Sequence, residues 1–560
     1  MPNSLAFLVV FAYPLVALAF FRLFRPPVAA ATTIIAGYLL LPTKVQVDLP
    51  ALPALDKDLI PAMAVILCAS YISFSRRARS RVSSFELKND YRALNGWMPR
   101  DTAVILLLTL LMASSFLTGL ANREAVVLGE KIIKGLNTYD MMSATLDMIV
   151  MLVPLLVGRR LFAHPENQKA LLGLIAFAGF LYAWLALVEI WLSPQLNTWL
   201  YGFFPHSFVQ HVRSGGYRPT LFLVHGLAVA TFLAMAFLAA IGAYRCSAPP
   251  FPRFVWLIFA CWIFLILTNS NSLGGIVLAL IALPMVLFLP PAVQIPIALG
   301  VATCVLLYPL LRTAGFIPVD AIATAANSID PMRAQSFLFR IEHEQNYLDH
   351  AEQRPLFGWG GFARFRPVVD GREATAIPDG YWVIVLSVGG YFRYLSEFGL
   401  ITYGLLRSGL KRKTLQIGIE GTTIMMMLAI NLIDLIMNAT VTPITWLLVG
   451  SVLGRLELAR AGNEPAETRA VDATRIGGRA RHREDFLITG RKYPQLSSQK
   501  NQFSRTQNTK LEDFAGASAS GNNRERSEPS IGSRHTRFAQ THSRATKQAR
   551  KPVHRPPNMR

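Results

Sequence analysis

Arginines and carboxylates crowd one stretch of this chain. Arg340 is followed by Arg364, Arg366 and Arg372, with Asp370 and Asp379 interleaved. Arg218 stands earlier, in Arg213-Ser214-Gly215-Gly216-Tyr217-Arg218-Pro219. A guanidinium is planar, stays charged and donates two parallel hydrogen bonds, so it suits phosphate. Between the arginines lies Phe357-Gly358-Trp359-Gly360-Gly361. Its glycines would let backbone approach a ligand closely. Trp359 and Tyr381 would stack on sugars or anchor at a membrane interface. Arginines, carboxylates and aromatic rings together suit a glycan carried on a lipid pyrophosphate.

These residues need elements to hold them. Met332–Glu352 reads as a helix lying at a membrane surface. Phe337, Leu338, Ile341 and Leu348 would line one face, and Arg340, Glu344 and Tyr347 another. Pro355 ends it. The rest of the chain is unusually apolar. Of 560 residues 52% are hydrophobic and 16% charged, with mean hydropathy +0.37; a soluble chain carries about 25% charged residues. The apolar residues come in blocks long enough to cross ~30 Å of hydrocarbon.

Spans are expected at 5–24, 26–42, 59–75, 102–121, 143–162, 170–192, 220–242, 254–270, 272–290, 293–312, 381–406, 420–437 and 439–456. The expected fold is therefore an all-α polytopic membrane bundle of about 12–13 helices, over residues 1–456. The apolar stretch Leu5–Phe24 has no preceding Lys or Arg, and Arg22 and Arg25 follow it, so it reads as a retained span rather than a cleaved signal. The basic run Arg76-Arg77-Ala78-Arg79-Ser80-Arg81 marks a cytoplasmic loop. Alternation then puts Arg159-Arg160, Arg245, Arg253 and Lys411-Arg412-Lys413 on the same side. The large loop 313–380 falls on the opposite, periplasmic side of a bacterial inner membrane.

The tail, 461–560, carries 20 Lys/Arg against 9 Asp/Glu, or +11 of the chain's +21. It is poor in aromatics and is expected to be disordered and cytoplasmic. The charge thus sits in a tail and short loops, which argues for anionic membrane lipid as partner and against nucleic acid. Cys68, Cys246, Cys261 and Cys304 have no metal-ligand spacing and read as small hydrophobes. No phosphate-binding P-loop, His-Glu-x-x-His or nucleophile elbow occurs. Inside the spans, Glu189 and Asp434 stand out as charges. Asn431 and Asn438 flank Asp434 at helical spacing, the pattern of helix–helix hydrogen bonding.

Three segments carry a family resemblance. They are Gly216-Tyr217-Arg218-Pro219, then Thr268-Asn269-Ser270-Asn271-Ser272-Leu273-Gly274-Gly275, then Arg340 followed by Pro355-Leu356-Phe357-Gly358-Trp359-Gly360 and Leu395-Ser396-Glu397-Phe398-Gly399-Leu400. In this order, and with one dominant late outer loop, the chain resembles the superfamily of O-antigen ligases, Wzy-type O-antigen polymerases and exopolysaccharide polymerases over roughly residues 100–456. The resemblance implies a metal-independent, cofactor-free inverting glycosyltransferase. Its donor would be a polyprenyl-pyrophosphate-linked glycan, with a flippase and a chain-length regulator as pathway partners. Arg218 and Arg340 would hold the pyrophosphate. Gly358, Trp359, Gly360, Arg364, Arg366 and Glu397 would contact substrate.

The chain departs from the family at one point. The histidine that usually precedes the Glu-x-Gly segment is missing, since this region reads Ile377-Pro378-Asp379-Gly380-Tyr381-Trp382. Asp379 would serve as base, or His343 or His350 from upstream. Polymerisation of repeat units is the expected activity. Ligation onto lipid A–core is the enzyme alternative, and a lipid-linked glycan flippase or transporter is the alternative of another class.

Overall fold

The computed structural model describes residues 1–47, 53–80, 93–128, 131–213, 216–318, 331–369, 379–412, 417–439 and 441–463, with a few isolated positions between them. The tail beyond 463, Asp370, and the side chains of Arg76, Arg77, Arg79 and Arg372 lie outside the described parts. Among the described residues the fold is all-α apart from three short two-stranded ladders and one isolated bridge, Val47 to Leu55. Six described helices are long and apolar enough to cross a membrane. They are α1 (Ser4–Leu23), α4 (Thr102–Ala121), α5 (Thr138–Leu161), α6 (Pro165–Leu192), α8 (Gly226–Cys246) and α15 (Ile419–Met437). Between them run α2 (Pro26–Leu40), α3 (Leu59–Ser80), the short α7 (Leu196–Tyr201), α9 (Arg253–Asn269), α10 (Leu273–Phe288), α11 (Pro291–Leu306) and the short α12 (Tyr308–Thr313). Then come α13 (Pro331–Glu352), α14 (Tyr381–Leu410) and α16 (Pro443–Asn463).

Local chemistry sets the starts of these helices. Pro26, Pro165 and Pro291 occupy first helical positions, where the missing N–H costs nothing. Asn3 and Asp101 accept N–H groups of the first turns of α1 and α4. Asn137 and Asp140 form a reciprocal capping box that starts α5 at Thr138, five residues before the expected 143. Helix α8, rich in alanine, is buried through most of its length at the centre of the bundle. Helices α5 and α16 approach most intimately at glycine: a methyl group on Gly450 would lie 2.0 Å from the Leu155 carbonyl oxygen.

Polar ties sort the helix ends into two sets. At one end, Asn3 N–H donates to Tyr201 O at 2.9 Å, Lys57 Nζ to Tyr38 O at 3.0 Å, and an Arg218 nitrogen to Asn271 O at 3.0 Å. At the other, Arg159 pairs with Glu457, and Arg460 and Tyr403 bond Asp101 at 2.7 and 2.8 Å. Consecutive long helices therefore alternate in direction.

One helix is broken. In α14, Gly390 adopts φ +67° and interrupts the helical path expected to run unbroken over 381–406. The break leaves backbone groups unpaired within the helix, and the segment 355–360 supplies partners. Trp359 and Gly360 N–H donate to Ser387 O and Val388 O, both at 2.9 Å. Tyr391 and Phe392 N–H donate to Pro355 O and Leu356 O at 2.7 and 3.1 Å. A Cβ at Gly390 would overlap the Leu356 carbonyl at 2.4 Å, so the approach requires glycine.

Candidate functional site

Glu189, in the last turn of α6, is fully buried. Its carboxylate accepts N–H groups from Leu196 (2.9 Å), Thr220 (2.7 Å) and Leu221 (2.8 Å). A charge with three donors is satisfied, so Glu189 fixes backbone. It holds 219–222 out of a helix, with Leu221 at φ +51°. That is why α8 starts at Gly226 and not at the expected 220. Asp434 likewise serves structure, accepting from Thr231 Oγ1 at 2.9 Å and Asn438 Nδ2 at 2.7 Å.

The held segment runs from Arg218 to His225. Arg218, 7% exposed, lays its stem over Gly226, where a Cβ would come within 2.5 Å of its Cγ. Its guanidinium reaches Asn271 O, and Asn271 Nδ2 donates to Tyr217 O at 3.3 Å. Two segments far apart in sequence, 216–219 and 268–275, thus meet. On α13, Arg340 Nε pairs with Asp379 Oδ2 at 3.0 Å, with the side chains 30% and 44% exposed. A pair this open contributes about 0–1 kcal/mol. Asp379 is therefore readily displaced from Arg340 by a stronger anion.

His225 lies within the field of both arginines. Burial first, then the charges of His211, Arg218, His206 and Arg340, push its imidazole down to about 3. Its Nδ1 accepts the Leu227 N–H at 3.0 Å, capping α8. The neutral ring then carries its proton on Nε2. His225 is a neutral donor at physiological pH, not a base. His206 and His211 pack around it, with ring centroids at 5.2 and 4.8 Å. His211 Nδ1 bonds Ser207 O at 2.9 Å, and its Nε2 accepts from Gly226 N–H at 3.4 Å.

The depressed His225 value has a stability consequence. Between about 6.5, the unfolded value, and about 3 the unfolded chain binds a proton that the folded chain refuses. Stability is complete above the unfolded value and falls as pH drops through this window. His225→Asn keeps a capping oxygen and does not titrate. Thermal unfolding in detergent between pH 7 and 4.5 should show the variant losing less melting temperature than the parent, and equal losses would refute the assignment.

The other expected site residues are placed differently. Arg364 is fully buried and donates to Trp359 O (3.1 Å), Glu124 O (3.0 Å) and Lys134 O (2.9 Å), which ties the outer loop to the hairpin 126–133. Arg366, half-buried, closes a turn through its N–H on Ala363 O. Trp359 stacks on His350 at 4.3 Å, donates Nε1 to His350 O at 2.7 Å and lies under Arg354. His350 Nε2 meets Arg364 O at 3.4 Å, and burial pushes its imidazole down. Gly358 packs on the Val388–Gly389 backbone and Gly360 on Leu136. Trp359, His350 and Arg364 spend polar groups on backbone and neighbours, and with Gly358 and Gly360 these five residues hold the loop.

His343 meets the ring of Phe339 at 4.2 Å. Glu397, fully buried, pairs with Arg393 at 3.1 Å and accepts the Tyr381 hydroxyl, so it positions side chains from within. On α13, Glu344, Tyr347, Leu348 and Ala351 form the buried face, while Leu338 is exposed. The expected polar face is therefore split. Arg340 reaches Asp379, whereas Glu344 meets Arg312 at 3.4 Å and Trp382 Nε1 at 3.3 Å. Burial raises the Glu344 carboxyl above its usual range.

Arg218 and His225 share one held segment, Arg340 pairs with Asp379, and both arginines act electrostatically on the His225 ring. His225 was not expected from the sequence. Its one signal is that three of the chain's ten histidines, His206, His211 and His225, fall within twenty residues. No family model matches the chain, and no curated protein matches it.

Proposed function

We propose that this chain is a membrane glycosyltransferase that polymerises polyprenyl-pyrophosphate-linked repeat units into a surface or exopolysaccharide. The observation that carries the reading is the open Arg340–Asp379 pair at 3.0 Å, together with the Arg218 segment held against Asn271. In this reading all of the long helices, α7, α12 and α13 excepted, span the membrane. The Arg218 end faces the periplasm, the Arg159 end and the tail 461–560 face the cytoplasm, and loop 313–380 is periplasmic.

Arg218 and Arg340 grip the donor pyrophosphate, and His225 Nε2–H donates to one of its oxygens. Pyrophosphate bound at Arg340 displaces Asp379, which becomes free to take the proton of the acceptor hydroxyl. The acceptor oxygen bonds to the anomeric carbon as the bond to pyrophosphate breaks. Polyprenyl pyrophosphate leaves with the electron pair, and configuration at the anomeric carbon inverts. Fixed cations aimed at the leaving group supply the electrostatic term that is usually the largest.

Removing the chain from a cell that makes the polymer tests the reading. Long polymer should vanish while single lipid-linked repeat units accumulate on the periplasmic leaflet. Accumulated lipid-linked long polymer would instead mean ligation onto lipid A–core. Units trapped on the cytoplasmic leaflet would mean a flippase, and unchanged polymer would refute all three.

A further inference from the structure

Two clefts open along α5. The wider, about 380 Å³, lies between α2, α3, α5 and α16, with Tyr38, Asp56, Lys57, Asp147, Thr442 and Trp446 in its wall. The second, about 200 Å³, lies between α4, α5 and the turn 360–362, and is lined by Ser114, Ser115, Asp140, Ser143, Asp147 and Arg393. Asp147 belongs to both walls, so the two clefts adjoin at this residue.

Asp147 is the residue that needs explaining. It is the tenth residue of α5, about 14 Å along a helix long and apolar enough to cross a membrane. It is exposed, and no hydrogen bond or ion pair ties it to the described residues. A carboxylate facing lipid at this depth would cost several kcal/mol. A groove that admits water and polar ligand removes that cost.

The wall is net negative. Asp56, Asp58, Asp140 and Asp147 face Lys57 and Arg393, and Arg393 is already matched by Glu397. Asp56-Lys57-Asp58 has the spacing by which nucleotide-sugar transferases hold a metal ion. Here Oδ1 of Asp56 accepts the N–H groups of Asp58 and Leu59, both at 2.9 Å, and so starts α3. Lys57 is spent on the carbonyls of Tyr38 and Phe222 at 3.0 and 3.4 Å. Such a wall repels phosphate. It offers carboxylate acceptors for hydroxyl groups and the half-buried ring of Tyr38 for packing. The Trp446 Nε1, buried, has no acceptor among the described residues.

Bonds link the groove walls to the segments that carry the arginines. At one end Lys57 bonds Phe222, in the segment that carries His225. At the other, Arg393 is held by Glu397, which bonds Tyr381, two residues from Asp379.

We propose that this groove binds an uncharged stretch of glycan whose hydroxyl groups donate to the carboxylates of Asp147 and Asp140, and rejects segments that carry carboxylate or phosphate. The proposal rests on the glycan-transfer reading and deepens it. The pyrophosphate belongs with Arg218 and Arg340, so the strand in the groove is the acceptor's sugars behind the reacting hydroxyl.

The test uses the full chain in detergent with its four cysteines replaced by alanine and a single Ser143→Cys. A second chain with Val150→Cys in the wider cleft guards against one variant failing to fold. Labelling by a trimethylammonium thiosulfonate should outpace labelling by the sulfonate analogue by roughly tenfold, as a one-sign cleft focuses its counter-ion. Asp147→Asn should shrink that ratio. Cellotetraose, maltotetraose or N-acetylchitotetraose should slow labelling in the presence of Asp147, and tetragalacturonate should not. Equal rates for the two reagents, protection by none of the neutral tetrasaccharides, or equal protection by tetragalacturonate would overturn the proposal. Protection is read without turnover, so the two readings fail separately. Unprotected cysteine with arginine-dependent polymer removes only the groove. Protection with arginine-independent polymer removes only the transfer site.

Discussion

Arg218→Ala and Arg340→Ala should each lower polymer formation roughly 30- to 1000-fold at matched membrane abundance, because a charge-assisted contact made in the transition state supplies ~2–4 kcal/mol. Arg340→Lys should also do poorly. An ammonium keeps the charge but loses the bidentate fork that matches a phosphate. Arg77→Ala is the control, since Arg77 belongs to the basic run assigned to the opposite side of the membrane. Asp379→Asn separates binding from chemistry. It frees Arg340 from its 3.0 Å partner, so donor binding should hold or tighten while transfer falls. Polymer length and amount are the measurement. Near-normal polymer from both alanine variants would make these arginines interface anchors and remove the site.

The second large effect lies at the other end of the bundle. Glu457→Ala should destabilise the chain by about 3–5 kcal/mol, the usual consequence of leaving a buried charge without its partner. Arg159 is fully buried and places Nε 3.0 Å and one terminal nitrogen 2.5 Å from Glu457. Its other terminal nitrogen bonds Gly96 O and Trp97 O at 3.1 and 3.0 Å. Glu457 also accepts the Arg100 N–H at 3.0 Å, so its loss strands donors on two segments. The double variant Arg159→Met with Glu457→Leu should recover most of the loss, because apolar packing of similar volume often replaces a buried pair. Melting temperature in detergent and membrane abundance are the readouts. A Glu457→Ala chain as stable as its parent would show that the pair carries no such weight.

The helices were largely legible in the sequence, because long apolar blocks leave few alternatives. The expected span 102–121 and the helix Thr102–Ala121 coincide. Misplaced starts have tertiary causes. The span expected at 220 begins at Gly226 because Glu189, thirty residues upstream, captures the backbone of 220–221. The span expected at 143 begins at Thr138 because Asn137 and Asp140 cap each other. That shift hid Asp147. As the fifth residue of a span it reads as an ordinary end charge, whereas as the tenth it demands water. The Gly-Trp-Gly motif was legible as a tight approach, but its partner is helix backbone rather than ligand, and no local pattern tells the two apart. Arg218 and Arg340 were picked out by charge and order. His225 between them was missed, since a histidine capping a helix has no periodicity.

The four backbone hydrogen bonds that join 355–360 to the break in α14 also limit how the outer loop can move. Segments of a protein open in cooperative units, and a unit opens only when all of its internal bonds are released together. Lifting Trp359 away would expose Ser387 and Val388 carbonyls and strand the Tyr391 and Phe392 amides in the same event. The segment 355–360 is therefore a fixed pivot of the outer loop. The pivot also keeps Arg393 and Glu397 in register, since both lie in α14 just past the break at Gly390.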